Sequence, residues 1–318
     1  MTDVATPMPE ILTLTLNPAL DLSTSVAEFR SQEKLRCESP TAEPGGGGIN
    51  VARAIRKLGG AVTAVHTSGG DAGRRVASLL EGEGVESREI QIQGTTRESL
   101  AVTERASGSL LRFVLPGPEL ARSEWEHCLA TVLELSEDGA IVVASGSLPP
   151  GAPDDFYGRL ARALRSHGSR LLLDSSGRGV VGALKDGVYL LKPNLRELQS
   201  LAGSELAAAD ERVAAAAGLV ADGAAEIVVA TLMAEGALVV TADGHELIRA
   251  PKIETRSSAV GAGDSFMAAL ALSLARGEDA IAAARLGVAA AAAAQLTPGS
   301  ELCRREDVER LRAAMAKQ

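Results

Sequence analysis

The chain has 318 residues, of which 46% are hydrophobic, 23% are charged and only 2% are aromatic. A chain of this length can bury about three quarters of the surface that its unfolded form exposes, so we expect a conventional core built mainly from Ala, Val, Leu and Ile. The formal net charge of −9 argues against general binding to nucleic acid or to anionic membranes, because both are polyanions.

The N-terminal stretch MTDVATPMPE has neither the basic nor the apolar region of a signal peptide. No uncharged apolar run approaches the roughly 18 residues that a membrane-spanning helix needs. We therefore predict no membrane span and a cytoplasmic location.

Short apolar segments alternate with segments of helical periodicity along most of the chain. Segments such as IVVA and LLL are apolar at every position, which indicates burial on both faces and hence a mostly parallel sheet covered by helices. The predicted strands cover residues 11–16, 61–66, 140–144, 170–174, 188–191, 226–231 and 237–241, and the predicted helices cover residues 49–58, 73–83, 123–135, 153–167 and 194–201.

Three further segments depart from this alternation. Residues from about 21 to 43 and from about 95 to 115 have an extended polar and apolar pattern without a helix, and we expect them to form a small separate sheet. Residues 265–296 are rich in Ala and Leu and predict two packed helices joined near Gly277. No linker or internal repeat divides the chain, so we expect one domain over residues 11–318 with a β-rich appendage.

The strongest chemical motif is VGAGDS at residues 260–265, followed directly by the apolar helical stretch FMAALALSLA. Small residues allow a tight turn, and the start of a helix leaves backbone N–H groups without helical partners, so the motif predicts an anion site. Asp264 in this motif has two interpretations. It is either an N-terminal helix cap or a general base that takes a proton from an attacking hydroxyl.

Two other phosphate-binding motifs do not fit the chain. A dinucleotide fingerprint GxGxxG that began at Gly261 would place Phe266 where a small residue is needed for close helix packing. The Walker A pattern GxxxxGK[ST] is absent from the sequence. The motif therefore does not indicate an NAD or FAD site, and a kinase built on it would not be a P-loop kinase.

A second motif, PGGGGINVA at residues 44–52, places four consecutive glycines before an amphipathic helix. Glycines permit positive φ and close approach of a ligand to the backbone. Asn50 both donates and accepts hydrogen bonds, as recognition of sugar hydroxyls requires. Asp21, soon after the first predicted strand, is another candidate hydrogen-bond acceptor for a hydroxyl group.

A third motif, KPNLREL at residues 192–198, follows a predicted strand. Asn194 and Glu197 are three residues apart and would share one helix face. Their oxygen atoms suit Mg²⁺, which proteins usually bind partly through water. The same spacing is equally typical of a capping box at the start of a helix.

Taken in this order, the motifs resemble those of the ribokinase-like carbohydrate kinases of the PfkB family. The resemblance extends from ILTLTLNPALD to GSELC and includes SGSLPPG at residues 145–151 and DSSG at residues 174–177. It is strongest to the branch of the family that phosphorylates sugar phosphates. Two groups in that branch, the 1-phosphofructokinases and the tagatose-6-phosphate kinases, usually have Lys at one central glycine of the GGGG run. The four glycines therefore favour fructose-6-phosphate as the acceptor.

The resemblance implies an α/β fold, a ribokinase-like α/β/α sandwich with a mostly parallel central sheet and a small β-sheet lid. It implies an ATP-dependent carbohydrate kinase that uses Mg²⁺ and takes a small-molecule sugar phosphate, and it implies a homodimer formed through the lid. Asp264 becomes the catalytic base. The implied anion hole consists of Gly261, Ala262 and Gly263. The residues implied to contact the acceptor sugar are Asp21, Gly46, Gly47, Asn50 and Ser147, and those implied to bind its phosphate are Lys34, Arg36 and Arg97. The residues implied to contact ATP are Lys192, Asn194, Thr231 and Gly236, and those implied to bind Mg²⁺ are Asn194 and Glu197.

Three positions depart from the family pattern. Met233 replaces a glycine of the nucleotide turn, Ala259 replaces a hydroxyl residue before GAGD, and Thr297 replaces an Asn near the adenine side. The phosphotransfer motif itself is intact. The alternatives left open are a tagatose-6-phosphate kinase or 1-phosphofructokinase, a kinase of plain sugars or nucleosides that the lid cations disfavour, and a catalytically silent sugar-phosphate-binding regulator.

Overall fold

The computed structural model describes residues 9–253, 260–297 and 301–316. Within these ranges the chain forms thirteen strands and ten α-helices, with a short 3-10 turn at Met233–Glu235. The strands are β1 Ile11–Thr15, β2 Ala19–Val26, β3 Thr41–Gly45, β4 Thr63–Ser68, β5 Glu86–Gln91, β6 Arg97–Glu104, β7 Leu110–Val114, β8 Ile141–Ser145, β9 Arg170–Asp174, β10 Val188–Leu191, β11 Ala225–Thr231, β12 Gly236–Thr241 and β13 Gly244–Arg249. The helices are α1 Gly47–Lys57, α2 Gly70–Gly82, α3 Arg122–Leu135, α4 Phe156–Ser166, α5 Arg178–Leu184, α6 Leu195–Ala202, α7 Ala209–Ala221, α8 Ala262–Ala275, α9 Ala280–Ala294 and α10 Arg305–Met315.

Nine of the described strands form one large sheet in the order β13-β12-β11-β10-β9-β8-β1-β4-β5. The strands from β11 to β5 in this order pair in parallel. Strands β12 and β13 are added antiparallel at one edge. The prediction of a mostly parallel central sheet is therefore confirmed.

The central strands are buried on both faces because helices cover both faces. Successive side chains of a strand point to opposite faces, and in β1 Ile11 joins one apolar core whereas Leu12 and Leu14 join the other. The first core contains residues of α1, α2, α8, α9 and α10. The second contains residues of α3, α4, α5, α6 and α7. The resulting α/β/α sandwich confirms the predicted fold class.

Helices α8 and α9 are the two Ala-rich helices that the sequence predicts. They are joined by a turn in which Gly277 has a φ of 79°. The two helices lie close together, because a side chain at Gly287 would meet the ring of Phe266. Small residues thus allow the close helix contact that the Ala-rich composition indicates. Among the described residues, no helix has the length and apolar character needed to cross a membrane.

Four other described strands form a small sheet in the order β3-β2-β6-β7. Strands β2 and β6 pair in parallel, and the other two pairs are antiparallel. The strands come from the two segments that break the helix and strand alternation in the sequence. We refer to these four strands as the small sheet.

Candidate functional site

The start of α8 lies at the centre of the candidate site. Gly261 precedes the helix with a φ of 76°, a left-handed conformation that glycine adopts readily. The backbone N–H of Ser265 donates to the carbonyl of Gly261 at 2.9 Å and so begins the helix. The first N–H groups of any helix have no partner within it, so the N–H groups at Ala262 and Gly263 lie at the positive end of the helix dipole.

Asp264 lies in the first turn of α8, but it does not cap the helix, because the N-cap position belongs to Gly261. The Asn50 Nδ2 group donates to Asp264 Oδ2 at 3.0 Å. Burial, followed by the nearby charge of Asp174, raises the pKa of Asp264 to about 7, although Asn50 and Lys192 act in the opposite direction. A carboxylate that titrates near neutral pH is suited to accept a proton from a hydroxyl.

Two connected polar cavities open beside Asp264, with volumes of about 510 and 390 Å³. We call them together the polar cleft. Its walls are the small sheet, the start of α1, and the loops that follow the central strands. Both cavities are lined by Asp21, Asn50, Ser99, Arg112, Val114 and Asp264, and the smaller one also by Gly46, Gly47, Arg97, Ser147, Asp174 and Glu197.

Asp21 lies on β2 and points into the polar cleft. Burial raises the pKa of its carboxyl, and the charges of Arg112 and Arg97 counteract part of that rise. The carboxylate occupies the space that a side chain at Gly45 would need. A glycine on β3 is therefore required for Asp21 to have this position.

The four consecutive glycines between the end of β3 and the first turn of α1 have different roles. Gly46 alone among them has a positive φ, at 115°. A side chain at Gly47 would meet the hydroxyl of Ser145, and one at Gly48 would meet the backbone of Leu14. A side chain at any of the four glycines would meet protein atoms of β1, β2 or β8, so each of them allows close packing, while Gly46 and Gly47 also line the polar cleft.

Arg97, at the start of β6, is held in place at the edge of the polar cleft. Its guanidinium donates to the carbonyls of Leu115 at 3.2 Å and of Asn17 at 3.3 Å. Its buried Nε has no hydrogen-bond partner among the described residues. The Asn17 amide in turn donates to the exposed Ser147 hydroxyl at 3.2 Å. Two predicted acceptor residues are thus linked through Asn17.

Lys34 and Arg36, the other predicted phosphate ligands, lie in the exposed loop between β2 and β3. Neither of them lines the polar cleft of this chain. The structure instead places Arg112, on β7, in both cavities of the cleft. Arg112 was not predicted, because the segment LLRFV contains no motif. Only the alternation of side chains along a strand could have indicated which face of the small sheet Arg112 lies on.

A third cavity, of about 500 Å³, lies on the other side of the start of α8. We call it the apolar cleft, since most of its lining residues are apolar. Its lining includes Thr231 and Gly236, which the family resemblance assigns to the nucleotide, together with Ala262 and Gly263 of the predicted anion hole. The full lining is Thr231, Met233, Ala234, Gly236, Ala250, Pro251, Ile253, Ala262, Gly263, Phe266, Val288, Ala291, Ala292 and Gln295.

The three departures from the family pattern differ in their placement. Met233 lies at the lip of the apolar cleft with 89% of its surface exposed and a φ of 53°, so it keeps a conformation that glycine adopts more easily. Thr297 is buried, and its hydroxyl donates to the carbonyls of Ala294 at 2.7 Å or Glu301 at 2.9 Å. It does not line the apolar cleft. Ala259 lies outside the described residues.

Lys192, Asn194 and Glu197 lie where β10 leads into α6, and none of them lines the apolar cleft. Lys192 is 4% exposed, and its Nζ lies 3.0 Å from Asp174 Oδ1. Asn194 Oδ1 accepts from the N–H of Glu197 at 3.0 Å, and Glu197 Oε2 accepts from the N–H of Asn194 at 2.8 Å. The capping box is therefore confirmed, and the metal role of these two residues stays a prediction.

The residues around α6 fit a weakly held hard cation. The described residues contain no group of three or more His, Cys, Asp or Glu side chains that could enclose a metal ion. Glu197 nevertheless lines the polar cleft with a carboxyl whose pKa is raised by burial. Mg²⁺ usually binds through one or two carboxylates, several waters and substrate phosphates rather than in a protein cage. This donor set is compatible with Mg²⁺ carried by a nucleotide.

Comparisons with known proteins identify the family of the chain. Residues 15–307 match the profile described as pfkB family carbohydrate kinase. An ATP-dependent 6-phosphofructokinase isozyme 2 from Mycobacterium tuberculosis (strain CDC 1551 / Oshkosh) is 47% identical over 303 residues, which cover 95% of this chain and 88% of that protein.

Two solved structures of phosphofructokinase-2 from Escherichia coli are also similar. One is in complex with fructose-6-phosphate and the other is a tetrameric inhibited form. Each has a TM-score of 0.92 and 41% sequence identity, and each match covers 97% of this chain and 100% of the other. By these matches over nearly its whole length, the chain belongs to the pfkB family of carbohydrate kinases.

Proposed function

We propose that this protein is an ATP-dependent 6-phosphofructokinase. It transfers the γ-phosphoryl group of ATP to the 1-hydroxyl of fructose-6-phosphate, which gives fructose-1,6-bisphosphate and ADP. The observation that carries the proposal is the position of Asp264 in the first turn of α8, since residues of this turn line both the polar cleft and the apolar cleft. The names of the similar proteins from M. tuberculosis and E. coli support the same activity.

The proposed mechanism is an in-line displacement on the γ-phosphorus. Asp264 accepts the proton of the attacking hydroxyl, and the backbone N–H groups at Gly261, Ala262 and Gly263 stabilise the charge on the transferred phosphoryl group. Because the pKa of Asp264 is raised to about 7, its carboxylate is a stronger base than an ordinary aspartate while it is still ionised in a useful fraction at neutral pH.

The acceptor sugar would be held in the polar cleft. We assign its hydroxyls to Asp21, Asn50 and Ser147, beside the backbone of Gly46 and Gly47, because their polar groups converge there. We assign its phosphate to Arg97 and Arg112, which are cations in a chain of net charge −9. A guanidinium suits this role because it can contact two phosphate oxygens at once.

The nucleotide would occupy the apolar cleft, with its base against apolar residues and its phosphates directed toward the start of α8. Thr231 and Gly236 line that cleft. Lys192 is proposed to add positive potential to the phosphate region. Glu197, with Asn194, would hold Mg²⁺ through water, and the ion when bound neutralises charge on the phosphates. Both substrates are intracellular metabolites, which supports the predicted cytoplasmic location.

We further propose that the small sheet acts as a lid over the sugar and that two copies of the chain pair through it. The support is a group of large apolar side chains that β6, β7 and the residue after β7 leave 38–62% exposed. A second copy would cover them and could bring Lys34 and Arg36 of one chain toward the cleft of the other. The exposed residues are Leu100, Leu110, Leu111, Phe113, Val114 and Leu115.

The test is an assay of ADP release with MgATP and four acceptors in parallel, namely fructose-6-phosphate, tagatose-6-phosphate, fructose-1-phosphate and ribose. We expect fructose-6-phosphate to give the highest kcat/KM. A higher value for another acceptor would keep the kinase mechanism but overturn the assigned substrate. If no acceptor reacts, a sugar-phosphate-binding role without catalysis would replace the proposal.

A further inference from the structure

We propose that Arg53 is a positioning residue that fixes which group of the Asn50 amide faces Asp264. This inference rests on the proposed function, since Asp264 is there the base. Arg53 lies on α1, one helical turn after Asn50, and it belongs to none of the motifs that the sequence singles out. Its role follows from the hydrogen bonds that its guanidinium makes.

Arg53 is buried, with only 6% of its side chain exposed. Its Nε and Nη2 donate to the two carboxylate oxygens of Glu83, at 2.8 and 2.7 Å. Nη2 also lies 3.3 Å from Glu43 Oε1, and Nη1 donates to the carbonyl of Pro44 at 3.1 Å. A planar guanidinium with paired contacts of this kind has a single orientation, because all its donors are fixed together.

The same guanidinium orients Asn50. Arg53 Nη1 donates to Asn50 Oδ1 at 3.3 Å, and Asn50 Nδ2 donates to Asp264 Oδ2 at 3.0 Å. A guanidinium has five donors and no acceptor, so only the oxygen of the amide can face it. The NH₂ group must then face Asp264. Without Arg53, the amide could turn by half a rotation and present its oxygen to the carboxyl group.

The direction of the amide matters for the base. An N–H donor stabilises the ionised carboxylate, whereas an amide oxygen can bond only to the protonated form. The other charged groups around Asp264 are Asp174 from β9 and Asp21 from β2, which both raise its pKa, and Lys192 after β10, which lowers it. Since both carboxylates act against ionisation, the hydrogen bond from Asn50 is a main stabiliser of the reactive form.

Arg53 also connects the base to the small sheet. Its contacts with Glu43 and Pro44 are on β3, and β3 pairs with β2 at Glu43 and Asp21. The Arg53 side chain therefore contacts both β3, the neighbour of the strand that carries Asp21, and the Asn50 amide, which binds Asp264. A shift of β3 would move Arg53 and thereby change the hydrogen bond between Asn50 and Asp264.

The central test is Arg53→Met, which keeps a long side chain and removes every donor. We expect the acid limb of kcat/KM, which reports the free enzyme, to move upward by about one pH unit, from near 7 to near 8, since the carboxylate loses a hydrogen bond that favours its charged form. The fall in kcat/KM is then about fivefold at pH 7 and nearly absent at pH 9. A merely structural role would lower kcat/KM by a similar factor at both pH values.

Two further variants isolate the pathway. Glu83→Gln breaks the paired contact but leaves the Nη1 bond to Asn50, so it should lower thermal stability without moving the pH profile. In an Asn50→Ala background, Arg53→Met should have no further effect on the profile. The conservative Arg53→Lys should keep most of the wild-type profile, because an ammonium group also only donates. A shift caused by Glu83→Gln, or an unchanged shift in the Asn50→Ala background, would overturn the proposal.

The same question can be answered without turnover. A titration of ¹³C-labelled aspartate carboxyl groups by NMR, with the Asp264 signal assigned by its loss in Asp264→Asn, should show a higher pKa for Asp264 in Arg53→Met. If the wild type phosphorylates no acceptor, the proposed function fails, and this titration still tests the role of Arg53. If Arg53→Met does not fold, the double variant Arg53→Met with Glu83→Gln is titrated instead. It should fold more readily, because no carboxylate at position 83 is left without its partner. An unchanged Asp264 titration in the folded variant would contradict the inference.

Discussion

The two clefts that meet at the start of α8 are built differently. The polar cleft is lined by charged and amide side chains, such as Asp21, Asn50 and Arg97, that are already engaged with other protein groups. The apolar cleft is lined mainly by small and aliphatic residues, and its shape depends on backbone positions such as Gly236, where a side chain would meet the Ile248 carbonyl. A ligand in the polar cleft would be recognised mainly by directed polar contacts, and a ligand in the apolar cleft mainly by shape.

This difference predicts unequal sensitivity to substitution. Removing one partner of a directed, partly buried polar contact leaves the other unsatisfied, which costs about 1–3 kcal/mol. Trimming a side chain at the open lip of an apolar cavity removes only a few weak contacts. Substitutions at the junction should therefore have the largest effects, those in the polar cleft intermediate effects, and those in the apolar cleft the smallest.

The largest effect is expected at the junction itself. Asp264→Asn removes the proton acceptor while it keeps the shape of the side chain, so kcat should fall by at least about 10²–10⁴-fold. Steady-state rates with fructose-6-phosphate and MgATP give the comparison. In the wild type, activity should be lost as the pH falls through about 7, because protonation removes the base. Near-normal turnover by the variant would rule out Asp264 as the base.

Thermal unfolding of the same variant serves as the control for folding. The pKa of Asp264 in the folded chain, about 7, lies above the ordinary value of 3.8. Ionisation of this group therefore lowers the free energy of unfolding progressively as the pH rises from about 4 to about 7, and by a constant amount at higher pH. Asn carries no such charge. The variant should thus be more stable than the wild type at pH 8, and this difference should shrink as the pH falls toward 4.

An intermediate effect is expected in the polar cleft. Arg97→Ala should raise KM for fructose-6-phosphate by about 10–100-fold, since a charged contact with a phosphate is worth about 1.5–3 kcal/mol. KM for ATP should change far less. Arg105→Ala is the matched control, because Arg105 follows the same strand but forms an exposed ion pair with Glu38. Equal changes in both KM values for Arg97→Ala would exclude the phosphate role.

A smaller effect on the polar cleft should follow from separating two copies of the chain. Leu111 is 45% exposed on β7 and lines neither cavity of the polar cleft. Leu111→Asp should yield a monomer by sedimentation or light scattering, because a charge at the centre of an apolar interface is costly to bury. KM for the sugar phosphate should rise by a few fold. Leu247→Asp, at an exposed leucine of β13, should leave the oligomeric state unchanged.

The smallest effect is expected at the lip of the apolar cleft. Met233→Gly should stabilise the fold by about 1 kcal/mol, because a left-handed conformation is costly for any residue with a Cβ atom. Met233→Ala keeps that Cβ atom and should bring no such gain. Since both variants remove the same exposed side chain, both should change KM for ATP only slightly and by the same amount. A large rise in that KM would show that Met233 contacts the nucleotide.

The sequence predicted best the strands that contain a run of consecutive apolar residues. The strands β9 and β10 have the predicted bounds, at Arg170–Asp174 and Val188–Leu191. The strands β5 and β13 were missed, because they are edge strands whose mostly exposed residues lack an apolar run. Helix α7 was also missed, since its Ala-rich segment shows no clear apolar stripe.

The candidate site was predictable where a motif marks a backbone conformation. The GAGD and GGGG segments identified Asp264 and Asn50 because glycines at those points are needed for turns and close packing. Arg112 and Arg53 belong to no such motif, and the roles proposed for them depend on contacts between segments far apart in the chain. Local sequence could not show that Lys34 lies outside the polar cleft of its own chain, since an extended loop does not define where it leads.

The contact between Gly45 and Asp21 has a consequence for how acceptor preference could evolve in this chain. Because a side chain at position 45 would displace the Asp21 carboxylate, the two positions can change only together or in a fixed order. Asp21 must first become smaller, with loss of its proposed sugar contact, before position 45 can accept a side chain. Descendants that keep Asp21 should therefore also keep Gly45, whereas descendants that have lost Asp21 can keep or replace Gly45.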